Sequence, residues 1–106
     1  VHAARGLIFG CWLVVEEVLA QLSDVVDMPP ISGVNNAIKV IKSLKQQEVI
    51  LPEEAELLDM LRRLRNQAAH KEEFLISRQA VEYYIESAST VVDSFTTRYP
   101  QLVDRL

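Results

Sequence analysis

The chain is short of the residues that build irregular structure. It has three glycines, four prolines and a single cysteine in 106 residues. So few turn-formers leave little room for the many tight turns of a sandwich or barrel, and they favour helices. One cysteine, Cys11, excludes an internal disulfide and offers no metal-site spacing, which points to an intracellular, cytoplasmic setting. No Gly-rich phosphate loop, paired-cysteine set, His-Glu metal motif or Ser-His-Asp arrangement is visible, so a nucleotide hydrolase or metalloenzyme is not expected and no cofactor is implied. Positive charge is also scarce: 11 Lys and Arg stand against 15 Asp and Glu, a formal net charge of −4. That balance argues against strong nonspecific binding of nucleic acid by the surface as a whole.

Hydrophobic residues make up 49% and charged residues 25%, as in an ordinary globular domain of this length. A single domain over residues 1–106 follows, which could be a piece of a longer chain since it opens on Val1. The apolar run GLIFGCWLVV is interrupted by Glu16 and Glu17, short of the ~18 residues that suggest a membrane span, so no membrane contact is expected.

Turn signals divide the chain into four helical stretches. The first covers about Ala3 to Ser23 and is apolar on much more than one face, as expected of a central helix or one that also meets another subunit. Pro29, Pro30 and Gly33 break it from a second stretch, Val34 to Gln47, which starts near Asn35 or Asn36 and carries Lys39, Lys42 and Lys45 along one edge. Pro52, followed by Glu53 and Glu54, suits the first turn of a third helix that runs to about Ala69. Its core stripe reads Leu57, Leu61, Leu64 and Ala68. Ser77 is placed to cap a fourth helix, Arg78 to Arg98, which Pro100 ends or bends. The fold expected is all-α, a four-helix up-down bundle with antiparallel neighbours.

Against the acidic whole, LRRLRNQAAHKEE gathers Arg62, Arg63, Arg65, His70 and Lys71 into one stretch. Basic residues at a helix C-terminus complement its dipole and need no further purpose. The residue types nevertheless suit phosphate chemistry. A guanidinium presents a permanent charge in a fork that matches phosphate oxygens, and an imidazole takes or returns a proton near neutral pH. Arg65, Asn66 and His70 would serve a reaction in which an RNA 2′-hydroxyl attacks the adjacent phosphate without a metal. Arg62, Arg63, Lys71, Lys39 and Lys42 would hold the backbone. Geometry sets a condition. At 100° per residue from Leu57, Arg65 falls near 80°, Asn66 near 180° and His70 near 220°, so Arg65 and His70 stand about 140° apart. Either the helix unwinds before His70, or two copies of the chain complete one site.

The segment LRRLRNQAAH resembles the Arg-Asn-x-x-x-His motif of HEPN domains (higher eukaryotes and prokaryotes nucleotide-binding). CWLVVEEVLAQL is similar to the Trp- and Glu-bearing first helix of bacterial HEPN-like families. AIKVIKSLKQQEVILPEEAELLDMLRRLRNQAAH resembles their second and third helices, and ISRQAVEYYIESASTVVDSF their last. The resemblance implies a homodimer and, in active members, a metal-independent endoribonuclease that leaves 2′,3′-cyclic phosphate and 5′-hydroxyl ends. It assigns proton transfer to His70, phosphorane stabilisation to Arg65 and orientation to Asn66. It also implies a setting in toxin–antitoxin or defence systems, with an antitoxin or other protein as a partner. A Tyr two residues after the His, the target of adenylylation in some HEPN toxins, is replaced here by Glu72. The alternative is a non-catalytic dimerisation or nucleotide- or protein-binding module.

Of the other residues, Glu16 is expected to make a structural pairing, with Arg65 as one partner it could position. Trp12 and Tyr84 read as core, while Tyr83 could reach a cleft. Cys11 has no basic neighbour in sequence to activate a thiol.

Overall fold

Four α-helices form where the apolar spacing places them. The computed structural model describes residues 2–29, 36–71 and 73–106, and every side chain of these except that of His2. In it α1 is His2–Val25, α2 Asn36–Gln46, α3 Pro52–His70 and α4 Arg78–Arg98, followed by a 3-10 helix, Pro100–Arg105. Pro30, Gly33, Val34, Asn35 and Glu72, which carried expectations above, lie outside the described residues.

The helix ends follow local chemistry. α3 opens on Pro52, whose missing N–H costs nothing there, and Glu54 reaches back to accept the Leu51 N–H at 2.8 Å. α4 is capped by the Ser77 hydroxyl, which accepts the Ala80 N–H at 3.1 Å. α1 runs past Ser23 because that hydroxyl donates back to the Leu19 carbonyl at 2.9 Å instead of ending the helix. It stops at a left-handed residue, Asp27 (φ 56°), with the N–H of Met28 returning to the carbonyl of Ser23. α2 ends the same way at Glu48 (φ 58°), with the Val49 N–H on the Leu44 carbonyl. Both are Schellman stops built without the glycine that usually fills the left-handed position.

α1 and α3 form the centre and touch each other, while α2 and α4 lie on opposite sides of that pair and, among the described residues, do not meet. Ile8, Leu22, Leu44, Leu58, Tyr84 and Phe95 are among the fully buried side chains of one continuous core. The alternating up-down order does not hold. It would make α1 and α3 parallel, but Arg5 near the start of α1 donates to the carbonyl of Lys71, just past the end of α3, at 3.1 Å. α4 runs against α3, because Arg98 at its end grips Glu54 in the first turn of α3. α1 and α4 are therefore parallel, and Arg105 beyond α4 pairs with Asp24 near the end of α1. Ten residues separate the end of α1 from the start of α2, more than the tight hairpin that would have enforced alternation.

α1 differs from expectation in one more respect. Despite Glu16 and Glu17, Ala3–Val25 reaches a mean hydropathy of 1.5, long and apolar enough to cross a membrane by length and composition alone; 33% of that window is buried within the bundle.

Candidate functional site

Arg65 stands on the side of α3 that its 80° from Leu57 gives it, next to the buried Leu58. Burial centres on Glu54, Leu58, Leu61 and Ala68, while Leu57 and Leu64 of the expected stripe are half-buried. The core face is thus turned toward Arg65, because α3 is packed by α1, α2 and α4 together. Arg65 is half-buried, and its guanidinium carbon sits 5.3 Å from the centroid of the Phe9 ring on α1, a cation–π stack.

Tyr84 of α4 lies behind it. Its hydroxyl donates to the Leu61 carbonyl at 3.0 Å, and burial raises its pKa well above the ordinary value of 10.0. Cys11 raises it further and the Arg65 charge opposes the shift. Phe9 from α1 thus seats Arg65 of α3, and Tyr84 from α4 bonds the preceding turn of the same helix.

α3 stays helical through His70, and the Lys71 N–H closes its last turn on the Gln67 carbonyl at 3.0 Å. The helix does not unwind before His70. Asn66, half-buried, and His70, exposed, share a face four residues apart, and Arg65 points away from both. Among the described residues neither Asn66 nor His70 makes a side-chain hydrogen bond within the protomer.

The surrounding cations divide into two groups. Arg62 and Arg63 both pair with Asp59, each at 2.9 Å, so one carboxylate offsets part of their charge. Arg65 makes no ion pair among the described residues. Lys71 is exposed, and its carbonyl holds Arg5. Lys39 and Lys42 are exposed on α2, whose start borders Glu16 and Ala20 of α1. Arg65 stacks on Phe9, seven residues earlier on α1 than Glu16, or roughly 10 Å at 1.5 Å per residue. Along α1, the start of α2 and the Phe9 seat of Arg65 are thus about two turns apart. Glu16 is exposed on the α1–α2 crevice and, among the described residues, pairs with no cation.

Trp12 and Tyr84 are buried, and Tyr83 is exposed. Burial raises the pKa of Cys11, which lowers the thiolate fraction a nucleophile would need. Among the described residues, no three His, Cys, Asp or Glu side chains are grouped to hold a metal ion. The Asp59 clamp was within reach of the sequence, since it stands three and four residues before Arg62 and Arg63. Phe9 was not: nothing local marks an aromatic residue as the seat of an arginine 56 positions away.

These features define an all-helical domain with a half-buried arginine and an exposed histidine on one central helix. The chain matches the family described as "Domain of unknown function (DUF4145)" over residues 6–105 and belongs to it. No curated protein and no solved structure matches it.

Proposed function

We propose that the chain is a HEPN-type domain acting as a metal-independent endoribonuclease at a cleft between two copies. The observation that carries this reading is the Arg65 cation. It is drawn onto the core side of α3 and seated on an aromatic ring, with no carboxylate paired to it among the described residues. A guanidinium with no carboxylate beside it is open to an anion, and its fork fits a phosphate. His70 is exposed and not engaged by described side chains of its own protomer, as a proton carrier must be. The continuous helix leaves pairing of copies as the route by which Arg65 of one and His70 of another share a phosphate.

In that arrangement His70 accepts the proton of an RNA 2′-hydroxyl, whose oxygen attacks the adjacent phosphorus. Arg65 stabilises the charge that builds on the phosphorane oxygens, and Asn66 orients the imidazole or the phosphate. The His70 imidazolium so formed returns its proton to the leaving 5′-oxygen, giving 2′,3′-cyclic phosphate and 5′-hydroxyl ends. Arg62, Arg63 and Lys71 hold the flanking backbone, and Lys39 and Lys42 extend the track in the dimer. A cytoplasmic toxin or defence role, with an antitoxin-like protein partner, belongs to the same reading.

A second reading has its own support. The sharing of Arg62 and Arg63 with Asp59, together with the net charge of −4, weakens the electrostatic hold on RNA and favours a non-catalytic nucleotide- or protein-binding module. Incubation of a mixed RNA pool in EDTA with the parent chain and with His70→Ala separates the two. Cyclic-phosphate ends produced by the parent alone are expected from the nuclease; a folded, dimeric parent that leaves the RNA intact decides for the binding module.

A further inference from the structure

α1 carries two apolar faces, and the bundle covers one of them. Ile8, Trp12, Val15, Val18, Leu19 and Leu22 are buried. On the opposite side Leu7 is 51%, Leu13 65% and Val14 58% exposed, with the exposed Gly6 and Gly10 between them. At 100° per residue these five positions fall within about 120° of arc, and no charged side chain interrupts them until Glu17. A face of this kind held in water is ordinarily an interface.

The size pattern along it is symmetric. Gly10 stands at the midpoint, with Leu7 and Leu13 three residues to either side and Gly6 and Val14 four. An antiparallel copy of the same helix, related by a two-fold axis at Gly10, would place Leu7 against Leu13 of the partner subunit and Gly6 against Val14 of the partner subunit. Val14 of the partner subunit then lies over Gly6, where a Cβ would meet nothing within 4 Å in the protomer, and Leu7 packs on Leu13 of the partner subunit.

Charge selects the direction. Antiparallel pairing about Gly10 sets Glu17 of the partner subunit opposite the uncharged Ala3, and does so twice. Parallel pairing would oppose Glu17 to its own symmetry mate. A membrane surface would want lysines and arginines flanking the apolar strip, and this strip ends in glutamates.

We infer that α1 is the homodimer interface, pairing antiparallel with α1 of a second copy about Gly10. Phe9 adjoins Gly10, so the axis passes beside the Phe9–Arg65 stack and draws both Arg65 side chains toward one cleft. That consequence for Arg65 rests on the nuclease reading, whereas the pairing itself does not.

The test is the mass of the parent and of Gly10→Leu by sedimentation velocity, with melting followed by circular dichroism. A dimeric parent and a Gly10→Leu chain at least tenfold weaker in self-association, yet still folded, are expected. Direction is read in a Cys11→Ser background, where mixed Leu7→Cys and Leu13→Cys chains should cross-link to each other and Leu7→Cys chains alone should not. A monomeric parent, a dimer that Gly10→Leu leaves intact, self-cross-linking of Leu7→Cys, or a monomer that sediments with phosphatidylcholine–phosphatidylglycerol vesicles overturns the inference. RNA cleavage is scored separately. A dimer split by Gly10→Leu with an inactive parent keeps the interface and removes the nuclease. Equal cleavage by a monomeric Gly10→Leu keeps the interface and a nuclease, and removes the shared cleft at Arg65.

Discussion

Replacing Glu54 by Ala tests whether the α3–α4 end of the bundle is held as its geometry indicates. The Glu54 carboxylate accepts Arg98 Nη1 at 3.0 Å and Nη2 at 2.7 Å, and also the Leu51 N–H at 2.8 Å. The arginine in turn donates to the Val49 carbonyl at 3.1 Å, and its bond to Glu54 raises the guanidinium pKa further. Losing the N–H acceptor costs about 1 kcal/mol, as for other helix-start contacts. The ion pair lies between two limits. Glu54 is 10% exposed by side chain but Arg98 is 34%, so the freed guanidinium regains water and the loss stays nearer a surface pair, about 1–2 kcal/mol. Together the cost is about 2–3 kcal/mol, or a Tm lowered by roughly 10–15 °C in a domain of this size. Glu54→Gln keeps an acceptor and should lose about 1 kcal/mol. Glu53→Ala, one exposed residue earlier, should stay within about 0.5 kcal/mol of the parent. Thermal and urea unfolding read these values, and a double-mutant cycle with Arg98→Ala should return a coupling of about 1–2 kcal/mol. Equal melting of the two alanine variants, or strict additivity with Arg98→Ala, would refute the account.

Two further expectations follow from the core and the turns. Burial holds the Tyr84 phenol neutral above its ordinary pKa of 10.0, so the unfolded chain gives up that proton first. Stability from this group is therefore whole below pH 10 and declines above it. Tyr84→Phe should cost about 1 kcal/mol at neutral pH and move alkaline unfolding to higher pH; an unchanged alkaline midpoint would count against the assignment. Glu48→Gly relieves a left-handed non-glycine residue and should raise stability by about 0.5–1 kcal/mol in urea unfolding, where a lowered midpoint would show that the Glu48 side chain matters more than its backbone.

The parts of the fold legible in the sequence are those written in local chemistry. Pro52, Ser77 and Pro100 mark the start of α3, the start of α4 and its end, and the helices fall there within a residue. The end of α1, expected at Ser23 and found at Val25, was less legible because Asp27 occupies a left-handed position that a glycine would have announced, whereas the end of α2 falls within a residue of Gln47. Chain direction was harder still, since the order of helices depends on Arg5 meeting Lys71 and Arg98 meeting Glu54, contacts 66 and 44 residues apart. The six-residue 3-10 helix was foreseen only as a bend at Pro100; burial of Leu102 turns that bend into structure. At the candidate site, the angles around α3 separated Arg65 from His70 from the outset. The Phe9 seat needed the tertiary packing to appear.

The hydrogen bond between Tyr84 and the Leu61 carbonyl has a consequence for how such chains can change length. By the i to i−4 pattern of a helix, that carbonyl also receives the backbone N–H of Arg65, so the phenol is keyed to the turn that carries the arginine. A residue inserted between Arg78 and Tyr83 would swing the phenol about 100° off its acceptor. One inserted over residues 73–76, before the Ser77 cap, leaves the keying untouched. Relatives that preserve the arginine's seat should therefore vary in the connection and hold constant the six positions between the cap of α4 and its tyrosine.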